Sequence, residues 1–396
     1  MQAYVLDWLN LLGRWIHLIT GIAWIGASFY FVWLDNHLLP PTDPELENKG
    51  VGGELWAVHG GGFYNAQKYR VAPATLPAHL HWFKWEAYST LISGFFLLCL
   101  IYYLGADVYL IDKSVADIGS NTAIAAGLGT LAGGWIVYDL LCRSPLGRND
   151  NALALVLAVL LAGAAYGLCH VFSARGAFIH FGAMLGTIMV LNVYFVIMPG
   201  QRELVAATAQ GRAPDPAPGL RAKQRSVHNT YFTLPVLFAM ISTHYAMLYG
   251  GRYNWLTLMA MTLAGALIRI FFVSRHRGPG APLPLALGIL ILAAVGWALA
   301  PAAAVVAPVA AKSDFARVQA IIGERCTACH SATPTQPGFA AAPKGMMFDT
   351  PGRIATQAVQ IQQQVASKAM PIGNLTNMTD EERAVVLDWA ARGAPR

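Results

Sequence analysis

Cys326-Thr327-Ala328-Cys329-His330 sets two thiols three positions apart, with an imidazole directly behind the second. This is the spacing for covalent attachment of a c-type haem. On one helical turn each sulfur reaches one vinyl group of a porphyrin, and the next side chain points a ring nitrogen at the iron. The other reading of such a pair is half of a zinc site. No second Cys pair exists to complete a tetrahedron, because Cys99, Cys142 and Cys169 are scattered through apolar stretches where they serve packing. The motif therefore assigns Cys326 and Cys329 to covalent haem c and His330 to its iron.

Elements on either side must hold this group. Phe315, Val318, Ile321 and Ile322 fall on one face of a helix ending at Arg325, which delivers the motif. Thr379-Asp380-Glu381-Glu382 is a capping box that opens a last helix carrying Val385, Val386 and Trp389. Residues 312–396 thus resemble a small class I cytochrome c, whose haem covers apolar surface that so short a chain cannot cover alone. A thioether is the expected sixth ligand. Among Met346, Met347, Met370 and Met378 the choice is Met370, since Pro371 behind it holds the loop extended.

The chain ahead of this region is of another kind. Overall it is 56% hydrophobic and 12% charged, about half the charge that soluble domains carry, so it is read as a membrane protein in contact with a lipid bilayer. The net charge of +6 sits in loops and forms no basic face, which argues against nucleic acid as a partner. The first apolar run starts almost at Met1 with no basic leader and is read as a retained helix. Apolar runs near the spanning length occur at about 5–34, 84–104, 121–141, 152–170, 177–199, 229–249, 254–273 and 283–300. The expected fold is all-α, a polytopic bundle of about eight transmembrane helices over 1–300. An Ala/Pro tether over 301–311 and the haem domain over 312–396 complete it.

Between the first two runs, 35–83 is rich in Gly, His and aromatic residues and reads as a folded or re-entrant loop. The stretch 200–228, with Pro214, Pro216 and Pro218, reads as a plain connection. Twelve Lys and Arg, among them Lys68, Arg143, Arg202 and Arg275, fall in one set of alternating loops, against Lys113, Arg175 and Arg252 in the other. The first set is then cytoplasmic, and the N-terminus and haem domain are periplasmic on a bacterial inner membrane.

Ionisable groups within spans are candidates for function. An outer layer holds His17, His170, His180 and His244. Gly13 and Gly21 flank His17 on one helix face and Arg14 lies one turn outward, so His17, His180 and His244 are candidate ligands of a b-type haem; simple bonding to neighbouring helices is the alternative. An inner layer holds Lys84, Glu86, Asp139 and Arg269, both signs of charge, as a pocket for a small anion and its proton would need. Mutual ion pairing is the alternative there.

Gly13-Arg14-Trp15-Ile16-His17, Gly21-Ile22-Ala23-Trp24-Ile25-Gly26, His59-Gly60-Gly61-Gly62-Phe63-Tyr64 and Leu80 through Tyr88, together with the Met370-Pro371 cytochrome, resemble the membrane-bound bacterial urate hydroxylases. The resemblance spans nearly the whole chain. It implies oxidation of urate to 5-hydroxyisourate, with electrons leaving through haem c to a downstream cytochrome or terminal oxidase and no hydrogen peroxide made. It supplies no catalytic residues. On chemical grounds Glu86 or Asp139 would take the proton, Arg269 or Lys84 would orient the anion, and Trp82 or Trp85 would stack on the purine. A pocket in the inner layer would lie a bilayer's width from a periplasmic haem. The competing reading is a quinol-oxidising b/c-type electron-transfer module with no purine chemistry.

Overall fold

The architecture comes from a computed structural model that describes residues 2–275, 282–300, 314–337, 339 and 341–396. It opens on α1 (Gln2–Asp35), whose 34 residues extend about 50 Å. α2 (Pro44–Asn48) and an antiparallel hairpin, β1 (Val51–His59) with β2 (Gly62–Tyr69), follow. Gly60 and Gly61 turn this hairpin at φ of 57° and 81°, which suits a two-residue turn needing positive φ at both positions. The all-α expectation fails in this one stretch.

The remaining helices of the first 300 residues are α3 (Trp85–Leu98), α4 (Ala106–Tyr109), α5 (Ser120–Arg143), α6 (Asp150–Cys169), α7 (Ala174–Asn192), α8 (Met198–Ala209), α9 (Pro216–Ser242), α10 (Ala246–Tyr249), α11 (Asn254–Arg275) and α12 (Pro282–Ala298). A π-helical turn extends α3 through Cys99–Tyr103, and another, Val193–Ile197, joins α7 to α8. Among the described residues, six helices are long and apolar enough to cross a membrane: Tyr4–Asp35, Trp85–Tyr103, Ser120–Arg143, Asp150–Cys169, Ala174–Ala209 and Asn254–Arg275. The other two expected runs fall on α9, which opens on the polar stretch with Arg221, Lys223 and Arg225, and on α12, an apolar helix of 17 residues.

The stretch 200–228 is no plain loop. α8 and α9 occupy most of it, and the prolines that look like breakers begin a helix. The Asp215 side chain accepts from the Ala217 N–H, and Pro216 sits in the first turn, where a missing N–H costs nothing.

α7 lies at the centre, with Phe178, Phe181 and Leu185 fully buried against α5, α6 and α9. α1 packs on α3, and α12 on α11. Trp15, Ile19 and Ile22 of α1 point outward, as do Leu283 and Leu290 of α12.

A second core belongs to the C-terminal region. α13 (Phe315–Arg325), α14 (Pro351–Thr356), α15 (Ala358–Ala366) and α16 (Asp380–Ala391) enclose Val318, Ile322, Ile361, Val386 and Trp389. Phe315 stacks on Trp389 with ring centroids 5.7 Å apart, so the opening and closing helices meet. Both halves of the Thr379/Glu382 capping box form. The proposed tether, 301–311, lies outside the described residues. This region touches the bundle where the Gly373 backbone faces the carbonyls of Ile111 and Val108, and where a side chain on Gly250 would collide with the Ser367 carbonyl.

Arg325 clasps the start of α16, donating from Nη2 to Glu382 at 2.9 Å and from Nη1 to the Thr376 carbonyl at 2.7 Å. The hydrogen bond from Arg325 holds the Glu382 carboxyl below its ordinary value. A depressed folded-state value gives a contribution that is complete above the unfolded value and lost as pH falls through the folded one. The thermal stability of this region in the full chain is therefore expected to fall below roughly pH 4. Glu382→Gln should flatten that dependence, as read by circular dichroism melts across pH.

Candidate functional site

The pentapeptide closes α13. The Cys329 and His330 N–H groups reach the Cys326 carbonyl at 3.2 and 2.9 Å, so thiols and imidazole share one turn. Both thiols are free. Burial pushes Cys326 up to about 12 and raises Cys329 as well. The His330 Nδ1 lies 3.0 Å from the Met346 carbonyl. A carbonyl can only accept, so Nδ1 carries the proton and Nε2 keeps a lone pair for a metal. Two free thiols and one oriented imidazole are the donors a covalent haem needs, and they fit it.

Met370 is half-buried, and its loop is pinned by a residue that the sequence did not single out. The buried Arg383 donates from Nη1 to the Met370 carbonyl at 2.7 Å and from Nη2 to Asn374 Oδ1 at 3.2 Å. Met378 instead packs into the core at 3% exposure.

Within the bundle, α1, α3, α7 and α9 line a partly open cavity of about 460 Å³. His17 lines it from α1. Its Nδ1 is 3.0 Å from Ser93 Oγ, and that hydroxyl donates to the Ser89 carbonyl at 2.7 Å. With the hydroxyl proton on that carbonyl, Nδ1–H donates to Ser93 and Nε2 is left with a lone pair. The imidazole fits because Gly94 is bare; a Cβ there would come 2.8 Å from the ring. Gly21 and Gly186 also line the cavity and have no neighbour within 4 Å of where a Cβ would stand. Arg14 and Arg175 occupy one end, and Arg175 Nε is buried without a partner. His244 lines the cavity from the exposed turn after α9.

His180 must be removed from the group of candidate haem ligands. It is fully buried, with Nδ1 2.9 Å from the Gly176 carbonyl and Nε2 3.2 Å from the Tyr103 hydroxyl. Both nitrogens are occupied, and the ring lies away from the cavity lining. His170 is likewise tied to its own helix, 2.7 Å from the Tyr166 carbonyl. Ser93, Gly94, Gly186 and Arg175 were missed. Of these only Gly186 carried a signal, the Gly182-x-x-x-Gly186 spacing, a mark of close helix packing.

The four charged candidates divide. Asp139 pairs with Arg143 at 2.6 Å and with the buried Arg225 at 2.8 Å, so the ion-pairing alternative holds for it. Arg225 lies over the Tyr138 ring, whose hydroxyl meets His228 Nδ1 at 2.7 Å and Asn192 at 3.0 Å. Glu86 stays available: Oε2 is buried without a partner, and Oε1 is 4.0 Å from His81 Nε2. Arg269 has Nε and Nη2 buried and unpartnered, with its guanidinium 3.7 Å over the Phe29 ring. Phe29 and Phe31 are on one stretch of α1, and Phe31 meets Phe83 near Glu86 at 4.9 Å. Arg269 thus meets α1 at Phe29 and the Glu86 segment meets it at Phe31, two positions apart and on different sides of the helix, with Lys84 two residues before Glu86. Of the two tryptophans, Trp85 is exposed and Trp82 packs against Ala87 and Val190.

Fold and site define a mostly helical protein whose long apolar helices are compatible with a membrane and enclose unspent polar groups. Its kinship is specific: the model of the urate oxidase N-terminal family matches residues 3–300. The chain belongs to that family and is a urate-related oxidoreductase. No curated protein and no solved structure matches it.

Proposed function

We propose that this chain is a membrane-bound urate hydroxylase. It oxidises urate to 5-hydroxyisourate and passes the electrons through covalent haem c to a downstream cytochrome or terminal oxidase. The reaction adds the oxygen of one water to urate and releases two protons and two electrons, so oxygen is not the direct oxidant and no peroxide forms. The reading is carried by one conjunction: a urate oxidase N-terminal match over 3–300 and a haem-attachment turn with a correctly disposed His330 lie in one chain.

Arg269, set over the Phe29 ring with two spare donors, suits a planar anion. Glu86, with a spare buried oxygen, is placed to take a proton. Lys84 adds positive charge at the same end, and Asp139 holds Arg225 and Arg143. When bound, haem c supplies a one-electron acceptor. In this reading α9 and α12 complete eight spans in a bacterial inner membrane, and the excess of Lys and Arg in alternate loops supports a periplasmic N-terminus and haem domain.

The test is anaerobic addition of urate to oxidised, purified protein. Reduction of the c-type bands without quinol is the expected result. Reduction by quinol but not by urate would overturn the reading. Met370→Ala is expected to abolish the thioether-to-iron absorption band completely; its persistence would move the axial ligand to another methionine.

A further inference from the structure

The geometry points to a b-type haem in the cavity between α1, α3, α7 and α9, with His17 Nε2 on its iron and Arg14 and Arg175 receiving its propionates. Four independent features converge. The Ser93 hydroxyl, donating to the Ser89 carbonyl, offers His17 Nδ1 an acceptor, an arrangement that leaves Nε2 as the metal-facing nitrogen. Gly21 and Gly186 hold open a space that any side chain would enter, and Gly94 lets the imidazole stand upright. A volume of about 460 Å³ falls in the range of roughly 300–1,000 Å³ for cofactor sites.

The fourth feature is charge. Arg14 stands one turn outward from His17, about 4.5 Å along the helix, and Arg175 keeps its buried Nε without an acceptor. Two guanidinium groups at one end of an otherwise apolar chamber suit a flat ligand with carboxylates along one edge. Urate does not fit that description, being small and polar around its whole rim. Purine chemistry therefore belongs with Glu86 and Arg269.

The placement also answers a problem of distance and count. Trp24 and Ile25 line the inner part of the cavity, on the α1 stretch that leads to Phe29 and Arg269. Its other end reaches Arg175, which lies over Tyr109, and Val108 and Ile111 beside Tyr109 face Gly373 of the Met370 loop. A carrier here lies between the two ends and provides a second one-electron site for a two-electron oxidation.

The proposal uses the urate reading only for the source of electrons, and its test needs no urate. Pyridine haemochrome analysis of the purified full chain is expected to give b and c haem in equal amounts. His17→Ala should lose the b haem and retain the c haem. Should His17→Ala fail to accumulate, Gly186→Leu, which fills the chamber and leaves His17 intact, should give the same loss. Only c haem in the native protein, a quinone extracted in place of b haem, or b haem undiminished in either variant would overturn the proposal.

Discussion

Replacing both Cys326 and Cys329 by Ala is expected to abolish delivery of electrons from urate altogether, the largest effect of any change considered. In the proposed reading two thioether bonds would make the haem part of the chain, and His330, held by the Met346 carbonyl, would contribute coordination only. Without the sulfurs the cofactor is free to leave a domain whose own core is small: Val318, Ile322, Ile361, Val386 and Trp389 at its centre. The readouts are haem staining of a denaturing gel, which should be blank, and anaerobic urate reduction, which should show no c-type signal. The bundle has its own core around Phe178, Phe181 and Leu185 and should keep its elution profile. Covalent haem surviving in the double variant would refute the assignment of the thiols.

The second large effect separates two carboxylates that look alike in sequence. Asp139 is the counter-ion of Arg225, whose side chain is 3% exposed and already leaves Nε and Nη1 unpartnered. Asp139→Ala strands that cation, a change that costs about 3–5 kcal/mol. The melting midpoint in detergent should fall by on the order of 10 °C. Glu86 is held by no such pair. Glu86→Gln should leave the melt nearly unchanged and slow urate oxidation by about a hundred- to ten-thousand-fold, the usual worth of a general base. Asp139→Asn, by contrast, should retain turnover within a few fold per folded molecule. If Asp139→Asn loses turnover while Glu86→Gln retains it, the roles are reversed.

Local chemistry was legible in the sequence and long-range pairing was not. The Cys326–His330 turn, the helix that leads into it and the Thr379 capping box depend on neighbours within a few positions, and each was legible in the sequence. The fate of His180 depended on Tyr103, 77 positions away, and that of Asp139 on Arg225, 86 positions away. No periodicity reports such partners. The Pro216 misreading has another cause, since proline breaks a helix interior yet begins a helix well, and position relative to Asp215 decides which applies. The hairpin carried its signal in Gly60-Gly61, but its strands lack the alternation that would have announced them.

The contact of Gly373 with the carbonyls of Ile111 and Val108, and of Ser367 with Gly250, has a kinetic consequence. With the proposed donor and first acceptor on one polypeptide, the two would meet at an effective concentration on the order of millimolar however thinly the protein is spread. Dilution should leave the internal handover rate untouched and slow only the onward transfer to a soluble carrier, so the two steps separate by order in protein.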